Sequence, residues 1–196
     1  MRKISFKRDE ERKKRMNQLI LGLLLIFIML FSTLGYSFSG FNKDEEDKEG
    51  VEKVTYRGLE FSKQNNFWLL NKDGINFIFR YNPVELGGLN HGLIFLNINN
   101  YYGKPLYIHS ENTEAEFEIY RNLDRIAQRI QYACLEDEQN CKKELPIKTC
   151  EDNFIIIKQG NSSEITQENN CIFINGQTED ELVKLTDEFL FKLLGM

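Results

Sequence analysis

A long apolar stretch near the N-terminus constrains this chain more than any other feature. Residues 19–38 read LILGLLLIFIMLFSTLGYSF, and no charged residue occurs between Arg15 and Lys43. About 20 apolar residues in a helix, at a rise of about 1.5 Å each, span the roughly 30 Å hydrocarbon core of a bilayer. A helix also satisfies its own backbone hydrogen bonds, which lipid requires. The stretch therefore predicts a transmembrane helix over residues 18–38.

The charges on either side of this stretch predict its orientation. Residues 1–17 contain eight Lys or Arg and three Asp or Glu, whereas KDEEDKE at residues 43–49 is mostly acidic. Basic flanks stay in the cytoplasm. We therefore expect a basic cytoplasmic arm (1–17), an acidic linker (39–52) and one domain outside the membrane (53–196).

Two alternatives to an uncleaved signal anchor stay open. A cleaved signal peptide has an apolar core of about 7–15 residues followed by small residues. Thr33 with Gly35, or Ser37 with Ser39, would serve as its cleavage pair. A pilin-like leader is cut between a basic residue and the apolar run, where that pattern has a small residue and this chain has Met16. The length of the apolar run favours the anchor.

The part of the chain beyond the arm is acidic. The whole chain has a formal charge of −5 and the arm contributes +5, so the remainder carries −10. A protein that binds nucleic acid needs clustered Lys and Arg against the phosphates. We therefore expect the membrane as a partner and no nucleic acid.

All four cysteines lie on the predicted outer side. An even number of cysteines in an extracytoplasmic domain is typical of disulfides. A zinc site needs closely spaced Cys or His pairs, and the two histidines provide none, so we expect no metal ion and no cofactor. Pro146 stiffens the segment between Cys141 and Cys150 and makes a disulfide between these two residues harder to close. Of the three connectivities that four cysteines allow, we predict Cys134–Cys141 and Cys150–Cys171.

The first part of the outer domain predicts a β-meander over residues 53–81. Apolar residues alternate loosely in VTYRGLEFSKQ, FWLLN and INFIFRY. Asp73-Gly74 between two of these runs is a strong hairpin signal. We expect Trp68 in the core of this sheet.

Further strands are expected at residues 93–98 (LIFLNI) and in the run PLYIHS, which begins at Pro105. Between them we expect a turn that exposes Tyr101 and Tyr102. His109 ends the second run, where a histidine is more often a surface or capping residue than a catalytic one.

Two helices are predicted, over residues 113–133 and 179–194, and each begins with a Thr-x-x-Glu capping box. The first has an apolar stripe at helical spacing, formed by Phe117, Tyr120, Leu123, Ala127 and Ile130. Between the helices, NFIIIKQ is apolar and β-branched enough for a central strand, and a hairpin follows. The order predicts an α+β domain of mostly antiparallel sheet, with both helices on one face.

Four stretches in the second half of the chain carry a resemblance to other proteins. They read KPLYIHSENTEAEFEIYRNL, LPIKTCEDNFIIIK, EITQENNCIFING and DELVKLTDEFLFKLLGM. They resemble a set of small archaeal single-pass membrane proteins of unknown function. The resemblance implies a short basic arm, one membrane span and an outer domain that contains cysteines. That family has no assigned activity, so the resemblance implies no catalytic residue.

Two functions fit these features. We predict a binding or envelope-structural module whose partner is an envelope protein or surface polymer, because no Ser nucleophile motif, H-E-x-x-H or thiol–histidine signature occurs. The alternative is a membrane-anchored hydrolase acting on glycan or peptide, for which carboxylates cluster at a helix start. Capping and the helix dipole also explain those carboxylates, which are Glu111, Glu114, Glu116 and Glu118. Separately, Asn161-Ser162-Ser163 is an N-glycosylation acceptor pattern.

Overall fold

The chain divides between Gly50 and Val51 into two units, which we describe separately. In the first unit, residues 16–26 and 29 are helical (α1). The arm before residue 16, the rest of the predicted span and most of the acidic linker lie outside the described residues. Among the described residues, no helix combines the length and apolar character needed to cross a bilayer. This computed structural model describes residues 16–26, 29, 51–92, 94–136 and 141–196.

The second unit begins with a four-stranded antiparallel meander, which confirms the sequence prediction. Its three turns each place two consecutive residues at positive φ, which is the type I′ geometry that follows the twist of a hairpin. These turn residues are Arg57-Gly58, Asn65-Asn66 and Asp73-Gly74. The strands are β1 (Lys53–Tyr56), β2 (Leu59–Gln64), β3 (Phe67–Lys72) and β4 (Ile75–Phe79).

A second, five-stranded sheet contains β5 (Pro105–Ser110), β6 (Arg129–Tyr132), β9 (Phe154–Gln159), β10 (Glu164–Glu168) and β11 (Cys171–Gly176). A separate pair of short strands, β7 (Cys134–Leu135) and β8 (Ile147–Lys148), lies between β6 and β9 in the chain. The spatial order is β10–β11–β9–β5–β6. Only the β10–β11 hairpin is antiparallel, and the other three contacts in this sheet are parallel. The α+β class is confirmed, and antiparallel pairing holds in the meander and in this hairpin.

Two helices, α2 (Thr113–Leu123) and α3 (Glu179–Leu193), form a layer between the two sheets. One continuous hydrophobic core contains residues of the meander, of both helices and of the second sheet. The ring of Phe191 on α3, for example, lies 4.4 Å from that of Phe79 on β4. A surface helix buries one stripe, whereas α3 buries ten of its fifteen residues, because sheets cover it on two sides.

The first predicted helix is too long. The helix α2 ends at Leu123, and residues 129–132 form β6 instead, which pairs in parallel with β5. The side chain that caps α2 belongs to Asn112, which accepts a hydrogen bond from the backbone of Ala115. The apolar stripe predicted for this helix was also wrong at its first residue, because Phe117 is 63% exposed.

Two local predictions ahead of β5 are wrong as well. Residues 94–97 are irregular and Ile98–Asn100 form a 3₁₀ helix, so the described part of LIFLNI contains no strand. Tyr101 is fully buried in the main core, whereas Tyr102 is exposed as predicted. Apolar composition indicated a strand here, but the backbone N–H of Phe95 donates to the side chain of Gln167 on β10 and not to the backbone of a neighbouring strand.

The face of the five-stranded sheet that points away from the helices carries a smaller apolar cluster. We call residues 133–152 the cysteine segment, because it contains three of the four cysteines and contacts this face through Ala133, Leu135 and Cys150. Both predicted disulfides are present, with Cα–Cα distances of 5.8 Å and 4.8 Å, within the usual range. They are Cys134–Cys141 and Cys150–Cys171.

Candidate functional site

A crevice of about 520 Å³ opens at the carboxyl ends of β5 and β6. Strand β5 pairs in parallel with β6 on one side and with β9 on the other. Open sheets with parallel strands bind ligands outside the carboxyl ends of their strands, and the crevice lies at that edge of the sheet. This carboxyl-edge crevice is lined by Ile108, His109, Ser110, Glu111, Tyr132, Ala133, Cys134, Lys142 and Leu145.

Hydrogen bonds hold several of its polar groups in place. The hydroxyl of Ser110 donates to the carbonyl of Asn112 (2.7 Å) and accepts from its backbone N–H (3.1 Å), so Ser110 serves the start of α2. The hydroxyl of Tyr132 donates to the carboxylate of Glu116. This hydrogen bond, with partial burial, raises the pKa of Tyr132 to about 12, so the phenol stays neutral.

The cysteine segment forms the outer wall of the crevice. The Cys134–Cys141 disulfide places Lys142 and Leu145 opposite the end of β5. Lys142 is exposed, and Tyr132 is 45% exposed. The crevice therefore offers an ammonium group, a phenol, an imidazole and an apolar wall, which suits a polar ligand held by several hydrogen bonds.

A buried pair of carboxyl groups, Glu118 and Asp187, lies where α2 contacts α3. Their side chains are 2% and 0% exposed. Glu118 Oε1 accepts from Arg121 Nη2 (2.7 Å), and Asp187 Oδ2 accepts from the backbone N–H of Tyr81 (2.8 Å). Their other oxygens, Glu118 Oε2 and Asp187 Oδ1, have no hydrogen-bond partner among the described residues, and the two carboxyl groups lie close enough for each to shift the pKa of the other.

Two carboxylates in contact in a buried site cannot both be ionised, so this pair shares a proton. Burial raises the pKa of Glu118 to about 7, against the lowering effect of Arg121. Burial, followed by the charge of Glu118, raises the pKa of Asp187 well above its usual range. Both shifts favour the protonated forms, so at neutral pH the pair carries less than two negative charges.

A neighbouring polar residue has a structural role. The side-chain amide of Asn122 accepts from the backbone N–H of Ile78 (2.8 Å) and donates to its carbonyl (2.7 Å). Ile78 lies on β4, an edge strand of the meander. Buried backbone groups need partners, and Asn122 supplies them for this edge, as Asp187 does for Tyr81.

A second, smaller pocket of about 270 Å³ lies beside this carboxyl pair. We call it the Phe67 pocket. The guanidinium of Arg121 stands 4.5 Å from the centroid of the Phe67 ring, and that of Arg80 stands 5.7 Å from the same centroid. Its lining consists of Phe67, Arg80, Thr113, Glu114, Phe117, Glu118 and Arg121.

His91 has a structural role on the other side of α3. Glu188, which is 2% exposed, accepts from the backbone N–H of His91 (2.6 Å) and from its Nδ1 (2.8 Å). Lys192 contacts the same carboxylate and donates to the carbonyls of His91 and Gly92. A Cβ atom at Gly92 would lie 1.8 Å from the carbonyl oxygen of Ile165, so the loop needs glycine there.

The four glutamates considered for a hydrolase do not converge. Glu111 accepts from the backbone of Gln159 and lines the crevice, and Glu116 binds Tyr132. Glu114 and Glu118 line the Phe67 pocket. Within the described residues, no group of three or more His, Cys, Asp or Glu could hold a metal ion.

Asn161 of the glycosylation pattern is exposed in the turn before β10. Sequence reasoning missed the carboxyl pair. The signal was the position of Glu118, because Ala115, Ile119 and Leu123 lie on the buried face of α2 and Glu118 falls on that same face. A carboxylate at a core position indicates a buried polar contact.

Comparison with protein-family models, with curated proteins and with solved structures finds no match to this chain. The resemblance to archaeal membrane proteins therefore stays a prediction.

Proposed function

We propose that this chain is an exported binding module. Residues 53–196 would form an extracytoplasmic domain that binds an envelope protein or surface polymer, and residues 18–38 would anchor it in the membrane with the N-terminus in the cytoplasm. The carboxyl-edge crevice carries the proposal, because it places convergent polar groups where parallel sheets bind ligands. The two disulfides support an oxidising compartment.

The lining of the crevice favours an extended polar ligand. Tyr132 offers an aromatic ring, Lys142 a positive charge, and Glu111 a negative charge. Glycans and peptide segments combine hydrogen-bonding groups with apolar patches, and such a mixed lining suits both. The ligand would therefore be a segment of a polymer or of a partner protein.

The hydrolase alternative gains little from the buried carboxyl pair. Asp187 is fully buried behind Glu118, so Glu118 alone of the two lines a pocket. Glycoside hydrolysis with two carboxyl groups needs both of them at the scissile bond. In the crevice, the hydroxyl of Ser110 donates its proton to the backbone carbonyl of Asn112, whereas a nucleophile gives that proton to a base.

The test is capture of envelope components on the immobilised full-length chain. We expect wild type to retain a component that the double variant Tyr132→Ala/Lys142→Ala loses. The matched control is Tyr102→Ala/Lys104→Ala, which removes the same two residue types at exposed positions near the amino end of β5.

The comparison of variants decides the outcome. Equal retention by wild type and the crevice variant would exclude the crevice as the binding site. Loss in the control variant as well would indicate nonspecific adhesion. Turnover of an envelope glycan or peptide by wild type, abolished in Glu118→Gln, would favour the hydrolase.

The proposed topology has its own test. Protease added to intact cells should degrade residues 53–196 and spare the basic arm. A domain that is degraded only after lysis would contradict this orientation. A mature N-terminus near residue 36 or 40 would show that the segment is a cleaved signal peptide.

A further inference from the structure

The Phe67 pocket concentrates positive charge beside an exposed aromatic ring. Arg80 follows β4 directly and Arg121 lies on α2, and both guanidinium groups contact the same ring, that of Phe67. Phe117 at the rim is 63% exposed and gives the pocket an apolar surface. The pocket thus joins two cations to an apolar surface.

The charge of these arginines is only partly compensated. Arg121 contacts Glu118 through Nη2, while its Nε has no acceptor among the described residues. Burial raises the pKa of both Glu118 and Asp187, so these two acids carry less than their full negative charge beside the guanidinium groups. Glu114 lies at the exposed rim, where solvent screens its charge.

We propose that the Phe67 pocket binds the carboxylate of a small organic acid with an apolar or aromatic group. The carboxylate would accept hydrogen bonds from Arg80 and Arg121, and the apolar group would pack on Phe117. A volume of about 270 Å³ fits a ligand of this size. A monoanion is favoured over a phosphate dianion, because Glu114 and Glu118 line the same pocket and would repel a second negative charge.

The site predicts a link between binding and protonation. The charged groups that face Glu118 are Arg121 and Glu114 from α2, Arg80 from the end of β4 and Asp187 from α3. A bound carboxylate would add negative charge near Glu118 and favour its protonated form. Binding would then take up a proton from solvent, and affinity would rise as pH falls from 8 to 6.

The test is an NMR titration of the full-length chain with phenylacetate. We expect saturable shifts with a Kd of about 1 mM or tighter. The neutral isostere phenylacetamide should bind about tenfold more weakly, since it lacks the charge that forms strong hydrogen bonds to guanidinium. Affinity for phenylacetate should be about threefold or more higher at pH 6 than at pH 8.

Three variants sharpen the test. Arg80→Gln should weaken phenylacetate binding about tenfold, whereas Arg125→Gln, which removes an equal charge at an exposed position after α2, should not. Asp187→Asn should retain binding and weaken the pH dependence, because without a second acid beside it the pKa of Glu118, next to Arg121, falls and Glu118 stays ionised over more of this range. Phenylacetamide binding as tight as phenylacetate, or an equal loss in both arginine variants, would overturn the proposal, as would an absence of saturable shifts.

Discussion

The two faces of the five-stranded sheet are covered in different ways. On the helix side, α2, α3 and the meander form one continuous core that also contains Ile155 and Ile157 of the central strand β9. On the outer side, a small cluster that includes Phe154 and Ile156 is covered by the cysteine segment. Strand β9 therefore packs against the helices on one face of the sheet and against the cysteine segment on the other.

This difference shows how the cysteine segment, which is a thin layer, is held against the sheet. The described part of the cysteine segment contains only the short strands β7 and β8, so it buries little apolar surface for each residue that it orders. Ordering a residue costs about 1–2 kcal/mol of backbone entropy. A disulfide lowers the entropy of the unfolded chain instead. Covalent links on the outer side thus replace the packing that stabilises the helix side.

The largest expected effect is on the helix side. Phe189→Ala on α3 removes a fully buried ring and should lower the free energy of unfolding by about 3–5 kcal/mol, and Leu185→Ala by about 2–5 kcal/mol. Chemical denaturation measures both. The matched control is Phe117→Ala on α2, which should change stability by about 0.5 kcal/mol or less, since that ring is exposed. Equal midpoints for Phe189→Ala and wild type would show that α3 is peripheral.

The next largest effect concerns the two disulfides that hold the cysteine segment. In the chain-entropy model, closing loops with sequence separations of 21 and 7 residues contributes about 3.4 and about 2.5 kcal/mol, respectively. Removing Cys150–Cys171 with a pair of alanines should therefore destabilise more than removing Cys134–Cys141. Denaturant midpoints of the two double variants give the order. A larger loss for Cys134–Cys141 would mean that native contacts, and not loop entropy, set the contribution.

The contrast between faces also explains what the sequence could predict. The meander was predictable because its strands pair with neighbours in the chain and its turns carry their own signals, as in Asp73-Gly74. The helix α3 was predictable from its cap, since Thr178 accepts from the backbone of Glu181. The disulfides were predictable from spacing. Each of these features depends on residues that are near in sequence.

The misses depend on distant residues. Strand β6 was assigned to a helix, because Ala127 and Ile130 continue the helical period and its partner β5 lies before α2. The segment around Phe95 was assigned to a strand, yet that ring is 84% exposed. The carboxyl pair joins two helices that are far apart in the chain, so no local pattern indicates that Glu118 meets Asp187.

A smaller effect compares neighbouring residues of β9. Ile157→Ala faces the helices and should lower the free energy of unfolding by about 3 kcal/mol. Ile156→Ala faces the cysteine segment and should cost about 1 kcal/mol less, because a thin cover can move into the space that is left. Both side chains are at most 3% exposed, so burial does not distinguish them. Equal losses would show that the two covers are equally rigid.

The last expected effect is a change of slope with pH, which comes from the carboxyl pair on the helix side. Unfolded Asp and Glu titrate near about pH 4, whereas the pKa of folded Glu118 is about 7 and that of Asp187 is well above its usual range. The folded state therefore binds more protons between these values. The pair's contribution to stability falls as pH rises through this window, by at most about 1.4 kcal/mol per pH unit for one proton.

Asp187→Asn should flatten this slope. Its amide oxygen can still accept from the backbone of Tyr81, and its nitrogen can donate to Glu118 without a titratable proton. We expect the variant to exceed wild type in unfolding free energy at pH 8 and to lose that advantage at pH 5. The control on the same helix is Asp180→Asn. Lys184 and Tyr81 hold the pKa of Asp180 below its usual value, so this change removes stability that is present above about pH 4. If the two variants change the free energy of unfolding at pH 8 with opposite signs, the effect comes from the shared proton and not from a general effect of charge on α3. A wild-type stability that rises from pH 5 to pH 8, with no gain in Asp187→Asn, would contradict the shared proton.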